Sequence, residues 1–134
     1  MNTTLRLKKI HHIAIICSNY ALSKKFYTEI LGLEIIQETH RAARQSYKLD
    51  LKLNDEYQVE LFSFPGPPPR PSQPEACGLR HLAFEVDDIN DAIAILHSRG
   101  VITEAVRVDE ITNKRYTFFA DPDGLPLELY ENRL

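Results

Sequence analysis

The sequence predicts an α+β fold of two tandem βαβββ modules that form a curved mixed sheet with the helices outside. Two repeated segments predict it. His12-Ile13-Ala14-Ile15 recurs as His81-Leu82-Ala83-Phe84 after 69 residues, and Val59-Glu60-Leu61-Phe62 recurs as Leu127-Glu128-Leu129-Tyr130 after 68 residues. A repeat at a fixed spacing indicates one supersecondary unit used twice. The 134 residues suit a single domain of this design, since domains usually hold about 100 to 200 residues.

Module one is expected over residues 9–64. It begins with a strand over Lys9–Cys17, an apolar run rich in β-branched residues. Ser18 or Asn19 then caps a helix over Tyr20–Leu31, in which apolar residues recur at every fourth position, and Gly32 supplies the left-handed stop. Three strand-like runs follow, at Leu33–Thr39, Tyr47–Leu53 and Gln58–Phe64.

Module two is expected over residues 78–132 and repeats this order. Asp87 and Asp88 cap a helix whose apolar residues fall at i, i+3, i+4 and i+7, and Gly100 ends it. Residues 65–77 hold six of the eight prolines. Proline lacks the amide hydrogen that a strand ladder needs, so this segment is expected to be an extended linker. The strand-like runs of module two are Val101–Val108, Tyr116–Ala120 and Pro126–Glu131.

Composition and charge exclude several classes of function. Hydrophobic residues make up 43% of the chain and charged residues 26%, as in an ordinary globular protein. The net charge is −3 and the basic residues are scattered, so the basic surface that nucleic acid requires is missing. No apolar run approaches the roughly 20 residues of a membrane-spanning helix, and residues 1–9 lack the apolar stretch of a secretory signal. We therefore expect a cytoplasmic protein with neither a nucleic-acid nor a membrane partner.

The phase of the strands selects four residues as candidate metal ligands. Alternate residues of a strand face the same side, so each module offers one histidine and one glutamate away from its helix: His12 with Glu60, and His81 with Glu128. Two imidazoles and two carboxylates suit a divalent Zn, Ni, Fe or Mn ion. The alternative is a pair of core histidines with two surface glutamates. The duplication favours the metal, because an unpaired buried carboxylate is costly. By the same alternation, His11 is expected to face the other way.

The chain resembles a known family through these repeats and four further motifs: Phe26-Tyr27, Leu31-Gly32-Leu33, Val86-Asp87-Asp88 and Phe119-Ala120-Asp121-Pro122-Asp123-Gly124. From His12 to Glu131 it resembles the vicinal oxygen chelate superfamily, which contains glyoxalase I, fosfomycin-resistance proteins and extradiol dioxygenases. The stretches Leu61–Pro65 and Arg70–His81 look like those of a bacterial subgroup often labelled glyoxalase-like. The resemblance implies that His12, Glu60, His81 and Glu128 are the metal ligands. Glyoxalase I enzymes carry such a set, extradiol dioxygenases use two His and one Glu, and metal-free antibiotic-binding relatives lose the ligands.

The function implied by the resemblance is that of a metal-dependent lyase or isomerase of glyoxalase type, acting on a small oxygenated substrate through a metal-bound enediolate. In such chemistry the ion polarises two neighbouring oxygens and a carboxylate moves a proton between adjacent carbons. Glu60 or Glu128 would be that base. The alternatives are a metal-dependent or metal-free resistance protein that binds an antibiotic or metabolite, and a dioxygenase of the same superfamily. Relatives commonly pair, so a homodimer is expected.

Further side chains are expected to bind the substrate. Lys48 and Asp50 lie in the phase opposite to the leucines of their strand, which places them either on the cleft wall or on a solvated face. Arg115, near a strand start, offers a planar fork to an anionic substrate, or simply faces solvent. Tyr116 and Phe118 share a face that lines the pocket or packs in the core.

Overall fold

The chain divides between Pro67 and Pro68 into two units, each with its own four-stranded mixed sheet. The computed structural model describes residues 3–133. The α+β class and the duplicated βαβββ order are confirmed. In chain order the elements are β1 (Ile13–Cys17), α1 (Tyr20–Lys25), β2 (Glu34–Arg41), β3 (Ser46–Leu53), β4 (Glu56–Ser63), β5 (Leu82–Val86), α2 (Ile89–Ser98), β6 (Arg107–Val108), β7 (Arg115–Ala120) and β8 (Pro126–Glu131).

Each sheet places its first strand beside its last. The strand order is β1-β4-β3-β2 in the first unit and β5-β8-β7-β6 in the second. The pairs β1–β4 and β5–β8 are parallel, and the other pairs are antiparallel. A parallel pair needs a long crossover between its strands, and here a helix and two strands provide it. Helix α1 packs against β4, and α2 packs against β8.

Helix α1 begins at the predicted cap but is shorter than predicted. Asn19 Oδ1 accepts a hydrogen bond from the Leu22 amide at 3.1 Å. The α-helix ends at Lys25 and continues as a π-helical turn over Phe26–Ile30, in which Phe26 and Tyr27 are buried. Gly32 then reverses the chain at φ +80, a conformation that costs glycine little.

Helix α2 agrees more closely with the sequence pattern. The Asp88 carboxylate accepts hydrogen bonds from the amides of Asn90 and Asp91 at 2.9 and 3.2 Å, which satisfies two amides left open at a helix start. The helix ends at Ser98, and Gly100 follows at φ +80.

Two predicted strands are shorter in the structure. The first begins at Ile13 rather than at Lys9, because its ladder with β4 begins at the pair Ile13 and Val59. The run expected over Val101–Val108 pairs only at its last two residues. Before them the chain touches β7 at Glu104, whose amide donates to Phe118 O at 2.8 Å.

The sheets present a buried apolar face and a second face that carries the polar candidates. In the first unit Ile15, Leu49, Leu51, Val59 and Leu61 are buried, and in the second Thr117, Phe119, Leu127 and Leu129 are buried. The residues between them in sequence point to the other side, among them every candidate glutamate. Over residues 3–133, no helix is long and apolar enough to cross a membrane.

The buried Glu131 links the helix to the sheet in the second unit. Its carboxylate accepts from the Ile89 amide at 2.9 Å and from Arg115 Nη2 at 2.7 Å. The hydrogen bond from Ile89, and then the Arg115 guanidinium, hold the pKa of Glu131 below its ordinary value of 4.5. A carboxylate whose folded-state pKa is lowered contributes stability above its unfolded value, and that stability is lost as the pH falls through the folded value.

We therefore expect Glu131→Gln to lower the urea midpoint of unfolding, with a difference from wild type that is constant above about pH 5 and narrows towards pH 3. Equilibrium unfolding at a series of pH values measures it. The control is Glu110→Gln, which changes an exposed loop residue and should leave the midpoint unchanged at every pH. A Glu131→Gln difference that stays constant down to pH 2 would contradict the assignment.

Candidate functional site

In the first unit, the parallel ladder brings His12 beside Glu60. Ala14 lies opposite Glu60 in the β1–β4 register, and His12 stands two residues before Ala14, immediately ahead of the strand. Residues two apart share a face, so the imidazole points to the side of Glu60. His12 Nε2 lies 3.3 Å from Glu60 Oε2.

The second unit repeats this arrangement. Ala83 lies opposite Glu128 in the β5–β8 register, and His81 stands two residues before Ala83. His81 Nε2 lies 3.5 Å from Glu128 Oε1. The same ring nitrogen therefore faces the same kind of carboxylate at the same position of both sheets.

The His12–Glu60 pair is surrounded by polar groups. Asp50 lies directly opposite Glu60 in the β3–β4 ladder, and both carboxylates are buried. Lys48 Nζ lies 3.4 Å from Asp50 Oδ1 and 3.7 Å from Glu60 Oε2. The structure thus places the predicted Lys48 and Asp50 beside Glu60, where the ammonium partly balances two negative charges.

Tyr57 is a neighbour of this pair that strand alternation misses. Tyr57 lies three residues before Glu60, so regular strand alternation would place it on the opposite face. A bulge at Gln58 shifts the register between β3 and β4, from Leu51 opposite Val59 to Lys52 opposite Tyr57, and so turns Tyr57 towards Glu60.

The Tyr57 hydroxyl donates to Glu60 Oε2 and also lies 2.9 Å from Asp50 Oδ1. Burial, together with these hydrogen bonds, raises the pKa of Tyr57 well above its ordinary value. The hydroxyl therefore stays protonated, as a donor to the carboxylates.

His11 lies beside His12, and the expectation that it faces the other way is wrong. Both histidines precede β1; His12 keeps the phase of the strand that follows it, and His11, one residue further from the ladder, does not. The two Nδ1 atoms are 2.8 Å apart, and the His11 ring lies 5.3 Å from that of Tyr57. In this arrangement one imidazole donates and the other accepts, which leaves His12 Nε2 directed at Glu60.

The His81–Glu128 pair has aromatic surroundings instead. Phe118 lies opposite Glu128 in the β7–β8 ladder, and its ring meets that of His81 edge to face at 5.1 Å. Tyr116 packs against Phe118 at 6.1 Å. Within residues 3–133, His81 is the one side chain in hydrogen-bond or ion-pair contact with Glu128. Tyr116 and Phe118 thus share one face, as predicted, and this face also carries His81 and Glu128.

Arg115 is on the other face of the same sheet. Its guanidinium binds the buried Glu131, which also receives the first amide of α2. Arg115 alternates with Tyr116 along β7, so it points to the helix side. The structure therefore separates Arg115 from the other predicted substrate-binding residues and gives it a partner in the fold.

A row of aromatic rings continues outward from Glu60 along β4. Phe62 and Phe64 lie in the same phase as Glu60, and their rings stack at 6.0 Å. The guanidinium of Arg41 lies 5.2 Å above Phe62, and that of Arg44 lies 5.5 Å above Phe64. Such cation–π contacts hold positive charge over an apolar surface.

The structure brings the four predicted ligands together as two pairs. No group of three or more His, Cys, Asp or Glu side chains spaced to hold a metal occurs among residues 3–133. Each pair lies within one of the two units, and in each pair the imidazole Nε2 lies within 3.5 Å of a carboxylate oxygen.

Tyr57→Phe removes the hydroxyl that Glu60 and Asp50 share. We expect it to lower the free energy of unfolding by about 1–2 kcal/mol, since hydrogen bonds to charged groups contribute somewhat more than neutral ones. Tyr116→Phe is the matched control, because its hydroxyl makes no hydrogen bond to the described residues and its loss should change stability by less than about 0.5 kcal/mol. Urea denaturation measures both, and equal effects would remove the role given to Tyr57.

Comparison with known proteins identifies the family. The family model described as the Glyoxalase/Bleomycin resistance protein/Dioxygenase superfamily matches residues 9–129. The uncharacterized protein YaeR of Escherichia coli K12 is 64% identical, over 95% of this chain and 98% of its own length. Metallothiol transferase FosB of Staphylococcus haemolyticus is 30% identical, over 96% of this chain and 86% of its own length.

Among solved structures, the glyoxalase family protein from Enterococcus faecalis is 54% identical and superimposes with a TM-score of 0.87, covering 92% of this chain and 98% of that one. The family match, the identities and the shared architecture agree. The chain belongs to the glyoxalase/bleomycin resistance protein/dioxygenase superfamily.

Proposed function

We propose that this protein is a metal-dependent lyase or isomerase of glyoxalase type that acts on a small oxygenated substrate. The observation that carries the proposal is the repeated His–Glu pair, with Nε2 to carboxylate distances of 3.3 and 3.5 Å at equivalent ladder positions of the two sheets. The repeat of the fold accounts for the equal register. The proposal explains why both copies carry an imidazole and a carboxylate at this place.

The donor chemistry of the four residues fits a divalent ion. His12, Glu60, His81 and Glu128 together offer two imidazole nitrogens and two carboxylates, a set suited to Zn, Ni, Fe or Mn. The His11 ring at His12 Nδ1 is the kind of neighbour that orients a metal-binding imidazole. We propose these four residues as the ligands.

The bound ion would act as a Lewis acid that stabilises negative charge on neighbouring substrate oxygens. In this proposal Glu60 remains in place while the reaction proceeds, because Tyr57 donates to its Oε2 and Lys48 Nζ lies 3.7 Å away. Its role is to bind and orient.

Glu128 is the better candidate for the residue that moves a proton. Among the described residues it contacts only His81 by hydrogen bond or ion pair, and its strand neighbour Phe118 offers no donor to hold it. A carboxylate with one polar neighbour can turn towards the substrate, take a proton from one carbon at Oε1 and return it to the adjacent carbon. Phe118 and Tyr116 would keep water from this side of the site.

One relative in particular supports an enzyme. FosB is named a metallothiol transferase, a name that joins a metal to thiol chemistry. By analogy, the proposed substrate class includes the thiohemiacetal of an α-ketoaldehyde. The competing function is that of a resistance protein that binds an antibiotic or metabolite without turnover. A dioxygenase is a further alternative. A homodimer is part of the proposal.

The first test is metal affinity, measured by isothermal titration of the chelator-treated protein with Zn²⁺ and Ni²⁺. Replacing His12 or His81 with Ala should weaken binding by more than about 100-fold, since even residues that only orient ligands typically cost 10- to 100-fold. His11→Ala should cost about 10-fold, the lower end of that range, because it contacts His12 without being a ligand.

His97→Ala is the control for this series. Its imidazole contacts Thr103 at the exposed end of α2, so its loss should leave metal affinity unchanged. Undiminished metal binding in both His12→Ala and His81→Ala would refute the ligand set. Tight binding of an antibiotic-like ligand by a metal-free, inactive protein would favour the competing function.

The two glutamates should differ in their effect on turnover. With saturating metal, Glu128→Gln should lower kcat by about 10²- to 10⁴-fold, the usual contribution of a general base, while changing metal affinity less than Glu60→Gln does. Steady-state kinetics with the hemithioacetal of an α-ketoaldehyde and a small thiol measures this. A larger loss of kcat in metal-saturated Glu60→Gln would reverse the assignment of the base.

A further inference from the structure

The second unit contains a cavity that the His–Glu pairs do not account for. Its volume is about 480 Å³, and all of its lining residues fall between Arg70 and Pro126. That volume lies in the range of small-molecule sites. One wall is the proline-rich segment that leads into β5, and the opposite walls are the chain before β6 and the end of β7.

The cavity lining carries an excess of one positive charge. Three arginines line it, Arg70, Arg80 and Arg107, together with two glutamates, Glu75 and Glu104. Most of the remaining lining residues are apolar, and the ring of Phe118 is among them. Arg80 pairs with Glu75 at 3.2 Å and Arg107 with Glu104 at 3.1 Å. Among the described residues, Arg70 is the lining arginine without a carboxylate partner, and the lining as a whole is apolar with a net positive charge.

The guanidinium of Arg70 hydrogen-bonds to residues that form the cavity wall. Its Nη2 donates to the carbonyl oxygens of Leu79 and Arg80 at 2.6 and 3.0 Å, and its Nε donates to Ser72 Oγ at 3.0 Å. These bonds close the segment from residue 70 to residue 80 into a loop. Arg70 builds the cavity and is not the group that a ligand would engage.

Arg107 is available to a ligand. Its guanidinium lies 5.9 Å from the centre of the Phe118 ring, and its partner Glu104 is 3.1 Å away, with both side chains 54% exposed. An exposed ion pair contributes little stability, so a ligand carboxylate can replace Glu104 at small cost. Phe118 in turn touches His81 at 5.1 Å. A molecule held by Arg107 and packed on Phe118 would lie next to the His81–Glu128 pair.

We propose that this cavity binds a small organic monoanion, in which one carboxylate pairs with Arg107 and an apolar body packs against Phe118. Its role as the substrate pocket rests on the proposed function of the His–Glu pairs, whereas the binding of the anion does not. Within the proposed substrate class, this site would favour the members that carry one carboxylate and an apolar group.

The test is an NMR titration of the chelator-treated full chain, followed through amide shifts and the Arg107 Nε resonance. Benzoate supplies the anion and the apolar body, benzamide supplies the body without the charge, and acetate supplies the charge without the body. Benzoate should bind at least about tenfold more tightly than benzamide or acetate, because benzamide makes only the apolar contact and acetate makes only the ion pair.

Arg107→Gln should weaken benzoate about tenfold and leave benzamide unchanged. Phe118→Leu should weaken both benzoate and benzamide. Arg133→Gln is the matched control, because Arg133 also forms an exposed ion pair, with Asp88 at 3.3 Å, but does not line the cavity. It should leave all three affinities unchanged.

Equal affinities for benzoate and benzamide, or benzoate binding that Arg107→Gln leaves intact, would overturn the proposed anion site. Metal titration of the same samples separates the two proposals. Charge-dependent benzoate binding by a protein that takes up no divalent ion would sustain the cavity and refute the metal site. Metal uptake without benzoate selectivity would do the reverse.

Discussion

The parallel ladder between the first and last strand of each unit determines which face of the sheet carries the His–Glu pair. It sets Ala14 opposite Glu60 and Ala83 opposite Glu128, and the histidine two residues before each alanine lies on the same face. A shift of one residue in either ladder would send the whole set of side chains to the other face. The helix and the two middle strands serve to return the chain to this pairing.

Much of the architecture follows from local sequence signals that the fold leaves undisturbed. The caps at Asn19 and Asp88 and the stop at Gly32 act within a few residues of themselves, so they can be read without knowing what packs nearby. Local signals do not determine whether a run pairs with a neighbouring strand. The run over Val101–Val108 is predicted to be a strand, but only its last two residues pair with β7.

The candidate site likewise contains residues whose positions can be predicted from local sequence and residues whose positions cannot. The two His–Glu pairs are predictable, because each histidine stands directly before its strand and keeps the phase of that strand. His11 lies two residues before β1 and Tyr57 lies beyond a bulge, and alternation assigns both to the wrong side. The position of Arg115 fails for another reason, since its partner Glu131 cannot be inferred from strand composition.

The bulge at Gln58 has a further meaning for a protein built from a repeated unit. Two copies of one supersecondary unit begin with equal surroundings for their histidine and glutamate. A single extra residue in one strand gives the first copy a phenol hydroxyl that the second lacks, while both ladders keep their pairing. The two copies therefore differ in backbone phase as well as in the residue opposite the glutamate, which is Asp50 in the first and Phe118 in the second. Each copy can in this way take on a chemical role of its own while its ladder and its His–Glu pair stay the same.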